Sequence, residues 1–350
     1  MGKLKSVLKN IISERQRNKY HQKHKLEAET LLKSIEHEKG KISKTIKKLT
    51  KEYASDVLGW SGFAPWLDVY SAIAGEFKEG WIPDNYYGMI VVPKLKGLYG
   101  MITEAKSLTS KILFTDSLPD IAYYVNGLFF SKLWEIIPKE SVEEYLFIND
   151  SLIVYKVDKS KQGKGIYFFK RENYNNEKIY KMGNGVFQKY IEQHKFFEEI
   201  MPNSVATLRL TSIIDNNGKA SCRAAYLRIG RSEDTHVKSS NAIKVPVELS
   251  SGKLYKKGYL SNFQSINYHP DTNFTFEGKI IPKYNDCVDF ILKTHQKAPY
   301  CRSIGWDITV NKKENIQLME WNGLHNDIKF SEATQGPCFA DLGWEKLREK

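Results

Sequence analysis

Cysteine is scarce in this 350-residue sequence, and its few cysteines are too scattered to pair as zinc ligands. A chain of this length can bury a core that is stable without covalent cross-links. We therefore expect all four cysteines to be reduced thiols with structural roles, namely Cys222, Cys287, Cys301 and Cys338. This scarcity argues against a disulfide-stapled secreted scaffold.

Long apolar runs are also missing. The longest apolar stretch without a charge, residues 57–67, is far shorter than the roughly 20 residues that span a bilayer. The basic N-terminus does not fit a signal peptide, because Lys9 interrupts its short apolar run and no small-residue cleavage site follows. The sequence therefore predicts a cytoplasmic protein. Its 41% hydrophobic and 27% charged residues are typical of a globular chain.

Acidic residues are few near the N-terminus. Residues 1–52 contain 15 Lys or Arg but only 6 Asp or Glu, and they carry +9 of the formal net charge of +12. A basic arm on a nearly neutral body indicates that a polyanion or an anionic membrane surface is the arm's partner. Aromatic residues, which accompany the basic ones in proteins that bind single-stranded nucleic acid, are almost absent here. We therefore expect no nucleic-acid partner.

The apolar residues of the arm recur at helical spacing and predict one or two amphipathic helices. They are Leu4, Val7, Leu8, Ile11, Ile12, Leu31, Ile35, Ile42, Ile46 and Leu49. Two interpretations stay open. Either the helices pack on the body or on a partner, with their lysines solvated, or they lie on anionic lipid at the inner face of the plasma membrane.

The body that follows predicts an α+β fold. An apolar run at 89–92 is typical of a strand, and 106–114 of a helix. Beyond about residue 146, β-branched runs and turn signals predict mostly strands, with two helices among them. The predicted strands are 152–156, 166–169, 186–191, 206–214, 220–229, 303–310 and 316–321, and the helices are 192–200 and 286–295.

The last hairpin carries a candidate metal site. Pairing that is symmetric about the turn near Lys313 sets Asp307 beside Glu320, and Asn322 shares a face with Glu320 because side chains alternate along a strand. Two carboxylates on adjacent strands repel each other, and a bound cation would remove the repulsion. A small set of oxygen ligands suits Mg²⁺. An edge hairpin with solvated acids is the alternative.

A second hairpin, residues 155–165, is rich in glycine and lysine. Its small residues would let backbone N–H groups close over a phosphate, beside the fixed charge of Lys156 in the strand. A solvated hairpin tip is the alternative. Further along, Arg209 and Arg228 stand inside apolar strands, where an unpaired charge is costly. Each must pair with an internal acid or face an anionic ligand.

Taken together and in order, these parts resemble the ATP-grasp fold, and more narrowly the sugar-transfer-associated ATP-grasp proteins of bacterial surface-polysaccharide clusters. The resemblance runs from about Phe77 to Phe339 and leaves the arm outside. The segments that carry it are Phe77–Pro83, Pro202–Arg209, Tyr226–Gly230, His269–Thr272, Ile304–Asp307 and Met319–Asn322.

The resemblance implies that ATP lies between two α+β lobes. Lys156, and Lys106 from the preceding domain, would contact phosphates, while Arg209 and Arg228 would face the transferring phosphoryl group. Asp307, Glu320 and Asn322 would hold Mg²⁺ against the β- and γ-phosphates. The remaining nucleotide-binding residues would come from the hairpin, namely Ser160, Gly163 and Lys164, and from the hinge that reads adenine, namely Gln188, Lys189, Tyr190 and Ile191, with His194 nearby.

The resemblance also implies four parts along the chain. These are a helical arm (1–52), a domain preceding the grasp fold (53–145), a small lobe with the phosphate hairpin (146–191) and a large lobe with the metal site (192–350). Two places depart from the family pattern. Val157, Lys159, Ser160 and Lys161 replace a proline and a glycine-richer loop, and His236-Val237 and Asn241-Ala242 replace an Asp-Asn pair and a Gly-Gly.

The function implied is that of an ATP-dependent ligase, which joins a carboxylate to an amine through an acyl phosphate. The carboxylate would belong to a free or nucleotide-linked sugar such as a uronic acid, and the amine to an amino acid or amino alcohol, in capsule or O-antigen biosynthesis. An alternative is a catalytically weak nucleotide-binding scaffold in a membrane-associated polysaccharide assembly. The complete metal triad favours the enzyme.

Overall fold

The computed structural model describes residues 2–160, 163–232, 236 and 241–349, with side chains from residue 14 onward. Lys161, Val237 and the side chains of the first five apolar arm residues lie outside this range. The chain divides into two compact units. A helical unit comprises Met1–Lys94, Asn262–Gln264 and Asp327–Lys350, and a sheet unit comprises Leu95–Ser261 and Ser265–Asn326. The four sequence-based parts, with boundaries after residues 52, 145 and 191, stay a prediction.

The helical unit is formed by the N-terminal helices and by one late helix. Ser43 begins the second helix with a side-chain oxygen that accepts from the backbone N–H of Ile46, and Gly75 ends the third at φ 83°. The helices are α1 (Gly2–Lys39), α2 (Lys44–Glu52), α3 (Ala64–Ala74), α4 (Asp84–Tyr86) and α5 (Val92–Leu95), with the late α11 (Lys329–Gln335).

The basic arm packs within this unit instead of standing free. Ala28 and Ile35 of α1 are buried, and the side chain of Lys39 donates to the backbone carbonyl of Ile73 at 2.8 Å. The late helix joins them, because Lys329 donates to Glu27 at 2.8 Å. For the part of α1 whose side chains are described, the structure therefore supports the packed-helix interpretation.

The late helix also closes the unit from the other side. The indole N–H of Trp81 donates to the backbone carbonyl of Glu332 at 2.8 Å, and the backbone N–H of Ile82 donates to its carboxylate at 2.7 Å. In each of these hydrogen bonds, the donor and the acceptor are about 250 residues apart in the sequence. Helix α11 is thus part of the core of the helical unit.

The strand predicted at 89–92 is wrong. Residues Tyr87–Val91 form a π-helical turn, and Val92–Leu95 continue as α5. Tyr87, Val91 and Leu95 are all buried, so the buried positions recur every four residues, which is a helical and not a strand period. No helix among the described residues is long and apolar enough to cross a bilayer.

The sheet unit contains two antiparallel sheets, one of six strands in the order β3-β2-β1-β6-β4-β5 and one of seven in the order β11-β10-β9-β8-β7-β12-β13. The first contains β1 (Asp120–Val125), β2 (Leu128–Ser131), β3 (Ile136–Ile137), β4 (Ile153–Val157), β5 (Ile166–Phe169) and β6 (Gly185–Lys189). The second contains β7 (Thr207–Ile214), β8 (Ala220–Ile229), β9 (Ile243–Pro246), β10 (Gly258–Tyr259), β11 (Ser265–Ile266), β12 (Ser303–Val310) and β13 (Ile316–Asn322).

Five helices complete this unit, and the α+β class is confirmed. They are α6 (Thr109–Leu113), α7 (Val142–Leu146), α8 (Asn176–Met182), α9 (Lys195–Ile200) and α10 (Tyr284–His295). The strands and helices predicted beyond residue 146 are present with shifts of a few residues at their ends, while the predicted helix at 106–114 begins with a 3₁₀ turn at Lys106–Leu108. Strands β1 to β3 and β9 to β11, and helices α7, α8 and α11, were not predicted.

Alternation along the strands gives each sheet one apolar and one polar face. In the six-strand sheet, one face joins a core that includes Tyr124, Tyr155 and Phe187. The opposite face carries Asp120, Tyr123, Val154, Lys156, Val186 and Gln188. In the seven-strand sheet, the core face includes Leu208, Leu227 and Trp306. The opposite face carries Thr207, Arg209, Arg228, Asp307, Glu320 and Asn322.

The packing of α1 predicts a large cost for truncating its buried face. Ile35 is 1% exposed, so Ile35→Ala should lower the free energy of unfolding by about 2–5 kcal/mol through lost contacts and an unfilled cavity. Leu26 on the same helix is 58% exposed, and Leu26→Ala should change it by less than about 0.5 kcal/mol. Urea unfolding followed by circular dichroism measures both. Similar small effects would mean that α1 does not pack as described.

Candidate functional site

The polar face of the seven-strand sheet carries a row of charged side chains. Asp307 in β12 lies directly opposite Glu320 in β13 on one side and opposite Arg209 in β7 on the other. The prediction that Asp307 pairs beside Glu320 is therefore confirmed. The register shifts immediately after this pair, so that Met319 is an extra, bulged residue. Bulges re-aim side chains and are over-represented beside active sites.

Asp307 forms a buried ion pair with both arginines. Its carboxylate accepts from Arg209 Nε at 2.5 Å and Nη2 at 2.9 Å, and from Arg228 Nη1 at 3.4 Å. Burial alone would raise the pKa of Asp307, but the two guanidinium groups outweigh it and lower the pKa below its ordinary value. Of the two alternatives for the arginines, the structure supports pairing with an internal acid.

Glu320 has a different environment. Its side chain is 36% exposed, and its carboxylate lies 3.4 Å from Lys106 Nζ. Asp307 and Glu320 are therefore each beside a cation, and their mutual repulsion is relieved by side chains of the chain itself. This removes the repulsion argument for a bound cation, although it leaves the oxygen donors in place.

Two lysines approach the acids from the other sheet and its preceding segment. Lys156 in β4 donates to the backbone carbonyl of the bulged Met319 at 3.2 Å. Burial lowers the pKa of Lys156, and the carboxylates of Glu320 and Asp120 partly oppose that shift. Lys106 donates to the carbonyl of Ser160 at 2.8 Å as well as facing Glu320. The predicted lysines thus converge on one place.

The glycine- and lysine-rich hairpin is anchored at its base. Asp158 accepts from both the backbone N–H and the hydroxyl of Ser107, at 3.0 and 2.7 Å. The backbone N–H of Lys159 donates to the carbonyl of Glu104 at 2.7 Å. A Cβ on Gly165 would lie only 2.3 Å from that of Ser160, so the turn needs glycine there. Gly163 and the exposed Lys164 stand at its tip.

Of the four residues of the predicted hinge, Gln188 lines the pocket, and Lys189, Tyr190 and Ile191 do not. Gln188 is buried and faces the pocket, and its side chain donates to Asp120 at 2.7 Å. Lys189 is exposed and lies 3.6 Å from Asp150, while Tyr190 and Ile191 follow the end of β6. His194 caps α9, because its ring nitrogen accepts from the N–H of Phe196 at 3.1 Å.

A pocket lies where these groups meet. It brings together four predicted residues, Lys106, Lys156, Gln188 and Glu320, and apolar side chains form much of the rest of its wall. The other residues that line it are Thr103, Thr109, Leu118, Val186, Met319 and Trp321. Sequence reasoning missed most of these, although Val186 could have been found because it lies two residues before Gln188 on the same face.

Lys96 was also missed, and it holds the loop that follows β13. Its ammonium group is buried and donates to the carbonyl of Leu324 at 2.7 Å and to the side chain of Asn326 at 3.2 Å. Arg209 donates to the backbone carbonyl of Asn326 at 3.3 Å. Burial lowers the pKa of Lys96 to about 7. The signal in the sequence is that Lys94 and Lys96 are the two charged residues within the otherwise apolar stretch 89–102.

The oxygen donors on this face fit a hard divalent cation that is completed by other oxygens. Asn322 turns its amide nitrogen toward Gly305 O at 3.2 Å and Asp307 Oδ2 at 3.4 Å, which leaves its Oδ1 available. Each carboxylate oxygen has about two acceptor positions. Oδ2 of Asp307 already accepts from Arg209, Arg228 and Asn322, whereas Oδ1 accepts only from Arg209 Nε within the described part of the chain, so Oδ1 is the oxygen with acceptor capacity left. Among the described residues, no three His, Cys, Asp or Glu side chains gather closely enough for an all-protein site. This donor set suits Mg²⁺, which keeps waters and binds substrate phosphates.

The charges around the pocket favour an anionic ligand. Lys106 and Lys156 on one side, with Arg209 and Arg228 on the other, surround the two carboxylates of the charged row. Cations in excess within a partly buried cleft raise the local concentration of anions. The arrangement can therefore bind a polyphosphate and stabilise negative charge on a transferring group.

In a comparison with protein families, residues 175–340 match the family described as sugar-transfer associated ATP-grasp. The match ends where the sequence resemblance was predicted to end, close to Phe339, and begins later than the predicted Phe77. Comparison with curated proteins gives no significant match.

Solved structures of low identity are similar to the chain. Biotin carboxylase from Campylobacter jejuni is 12% identical with a TM-score of 0.46, over 92% of this chain and 68% of that one. The ATP-grasp ligase PsnB, complexed with a variant of its minimal precursor, Mg and ADP, is 12% identical with a TM-score of 0.42, over 73% and 61%. The ADP complex of PurK, an N5-carboxyaminoimidazole ribonucleotide synthetase, is 9% identical with a TM-score of 0.39, over 63% and 44%. The chain thus spans 44% to 68% of the length of these three proteins.

The two acids of the charged row should differ in their contribution to stability. Asp307→Asn removes the carboxylate charge that pairs with the buried guanidinium of Arg209 and the partly buried one of Arg228, and it should lower the free energy of unfolding by about 3–5 kcal/mol. Glu320→Gln, at the facing and more exposed position, should cost less than about 1 kcal/mol. Urea unfolding at one pH compares the two variants. Equal costs would contradict the assignment of Asp307 as the buried partner of both arginines.

Proposed function

We propose that the protein is an ATP-dependent carboxylate–amine ligase, because residues 175–340 match the sugar-transfer associated ATP-grasp family. One structural observation carries the proposal. Lys156 and Lys106 reach Met319 and Glu320, so the cationic side chains of two sheets and the acids of the last hairpin surround one pocket. Such a cluster suits a triphosphate whose terminal group is transferred.

The reaction proposed has two steps. A carboxylate oxygen of the acceptor attacks the γ-phosphorus of ATP, the bond to the β–γ bridging oxygen breaks, and ADP leaves. An amine then attacks the acyl carbon, phosphate departs with the bonding electrons of the acyl–oxygen bond, and the nitrogen loses a proton. The products are an amide, ADP and inorganic phosphate, and no protein nucleophile is required.

The chain's own groups position and neutralise the reactants. Lys156, rooted in β4, contacts the phosphates from one side, and Lys106 does so from the segment that anchors the hairpin. The hairpin residues Ser160, Gly163 and Lys164 cover the phosphates, and the hinge from Gln188 to Ile191 binds the base. Arg209 and Arg228 bring two guanidinium groups to the transferring group, where charge spreads over its oxygens in the transition state.

Glu320, Asn322 and the remaining acceptor positions of Asp307 would hold Mg²⁺. When bound, the ion neutralises the charge of the phosphates and orients them for in-line transfer. The role of the ion pair between Asp307 and the arginines is to fix these side chains in place before the nucleotide arrives, which reduces the reorganisation needed for reaction.

For the acceptor, we propose a carboxylate on a sugar, such as a uronic acid, free or nucleotide-linked, and an amino acid or amino alcohol as the amine. The support is the association of the family with sugar transfer, as its description states. A product of this kind belongs to the biosynthesis of a bacterial surface polysaccharide.

A nucleotide-binding scaffold with little turnover is a second candidate. The observation that favours it is the engagement of both Asp307 oxygens by guanidinium groups, which weakens the acid as a metal ligand. The two candidates differ in one measurable respect. The scaffold binds nucleotide without releasing ADP when acceptors are supplied.

Substitution of Glu320 should separate nucleotide binding from turnover. Glu320→Gln should lower the rate of ADP release by at least about 100-fold, because an oxygen donor loses its charge at the phosphates. Lys156→Met should weaken nucleotide affinity by about tenfold or more, because a buried cation beside the phosphates is lost. Coupled ADP detection and calorimetric titration measure the two quantities.

Lys178→Met provides the matched control, since this lysine is exposed on α8 and donates only to a backbone carbonyl, that of Asn173. It should leave both quantities unchanged. Circular dichroism verifies that each variant is folded. Normal ADP release by Glu320→Gln, or equal nucleotide affinity in Lys156→Met and Lys178→Met, would exclude the proposed site.

The acceptor is identified by a two-dimensional panel. The protein with Mg²⁺-ATP is incubated with uronic acids and their nucleotide-linked forms, each with and without amino acids and amino alcohols, and phosphate release is followed. We expect release above background only when both a sugar carboxylate and an amine are present. Nucleotide binding without release in any combination would favour the scaffold.

A further inference from the structure

The side chain of Gln188 is held in one orientation at the wall of the pocket. Gln188 is 3% exposed, and it stands on the polar face of β6 between β1 and β4. Its amide nitrogen donates to Asp120 Oδ1 at 2.7 Å. An ionised carboxylate has only acceptors, so this contact requires the nitrogen and not the oxygen of the amide.

Asp120 is itself fixed from its other oxygen. The hydroxyl of Tyr123 donates to Asp120 Oδ2 at 3.0 Å, and the same hydroxyl lies 2.7 Å from that of Ser110. Burial raises the pKa of Asp120, while the hydrogen bonds from Gln188 and Tyr123 oppose that shift. Each oxygen of the carboxylate therefore has its own donor, Gln188 at Oδ1 and Tyr123 at Oδ2.

The consequence is that Gln188 presents its oxygen to the pocket. Among the described residues, none donates to Gln188 Oε1, and this atom is not one of the buried polar atoms that are sealed from solvent. It stands on the same face as Val186, and both line the pocket together with Leu118 and Met319. On this side of the pocket, the Gln188 oxygen is therefore an acceptor set among apolar side chains.

This acceptor distinguishes purines by the group at position 6. Adenine carries an amino group there, which donates a hydrogen bond, whereas guanine and hypoxanthine carry an oxygen, which accepts. An acceptor facing another acceptor leaves both without a partner in a desolvated pocket, which is costly. Recognition by a fixed polar group of this kind rejects the mismatched ligand strongly.

We propose that Asp120 is a positioning residue which locks the Gln188 amide so that its oxygen selects a 6-aminopurine nucleotide over a 6-oxopurine one. The inference rests on the proposed function, because it concerns the base of the nucleotide bound there. Asp120 acts through Gln188, whose amide oxygen is the group that contacts the base.

Replacement of the carboxylate by an amide tests the lock. Asn at position 120 offers both a donor and an acceptor, so the Gln188 amide is free to turn over and present its nitrogen to an oxygen at position 6. Dissociation constants of Mg²⁺-ATP, Mg²⁺-ITP and Mg²⁺-GTP are measured by calorimetry for the full chain and for Asp120→Asn. We expect the ITP-to-ATP ratio of dissociation constants to fall by about tenfold or more in the variant.

The ratio of the ITP and ATP dissociation constants reports on recognition of the base alone, because the two nucleotides carry the same triphosphate. Asp120 also acts on the charge of Lys156, so its replacement changes affinity for every triphosphate, and that change cancels between ATP and ITP. Tyr123→Phe is the matched control, because it removes a hydrogen bond to Asp120 and leaves the bond to Gln188. It should keep the wild-type ratio. Thermal unfolding verifies folding, and Gln188→Met, which removes the amide, should lower the ratio independently of Asp120.

The outcomes are distinct. A lowered ratio in Asp120→Asn and Gln188→Met, with the wild-type ratio kept in Tyr123→Phe, supports the inference. An unchanged ratio in both test variants, with ATP still bound by wild type, overturns the lock and leaves the proposed function standing. The absence of binding of any nucleotide by wild type overturns both.

Discussion

The site depends on a single buried carboxylate that serves two arginines. Asp307 in β12 stands between Arg209 in β7 and Glu320 in β13. Its bidentate pairing fixes the guanidinium group of Arg209, which also donates to the loop after β13. Breaking such a pair leaves uncompensated charge in a region where water cannot replace it. The positions of Asn322 and Glu320 follow from this arrangement, because both belong to the strand that pairs with Asp307.

The facing sheet contributes groups of a different kind. Its polar face supplies Lys156, which reaches the bulged carbonyl of Met319, and the buried pair of Gln188 and Asp120. The large sheet therefore offers charge where a phosphoryl group would move, and the small sheet offers a fixed cation and an oriented amide. In this arrangement, the small sheet discriminates between ligands and the large sheet carries the groups for the chemical step.

Contacts between residues close together in the sequence were predictable, whereas contacts between distant residues were not. The pairing of Asp307 with Glu320 was predictable because a hairpin fixes its own register. The partner of Arg209 was not, since β7 and β12 become neighbours only when the strand order is known. The same holds for Gln188 and Asp120, 68 residues apart. The strand at 89–92 was misread because four apolar residues fit either period when the buried neighbours on both sides are ignored.

Helix α11 closes a core whose other members were made some 250 residues earlier, through Glu332 and its bonds to Trp81 and Ile82. During vectorial synthesis, α1 to α3 therefore emerge from the ribosome without the surface that covers them. Their apolar faces stay open to other chains and to chaperones until α11 has been translated. A truncated chain that stops before residue 329 would carry that uncovered surface permanently.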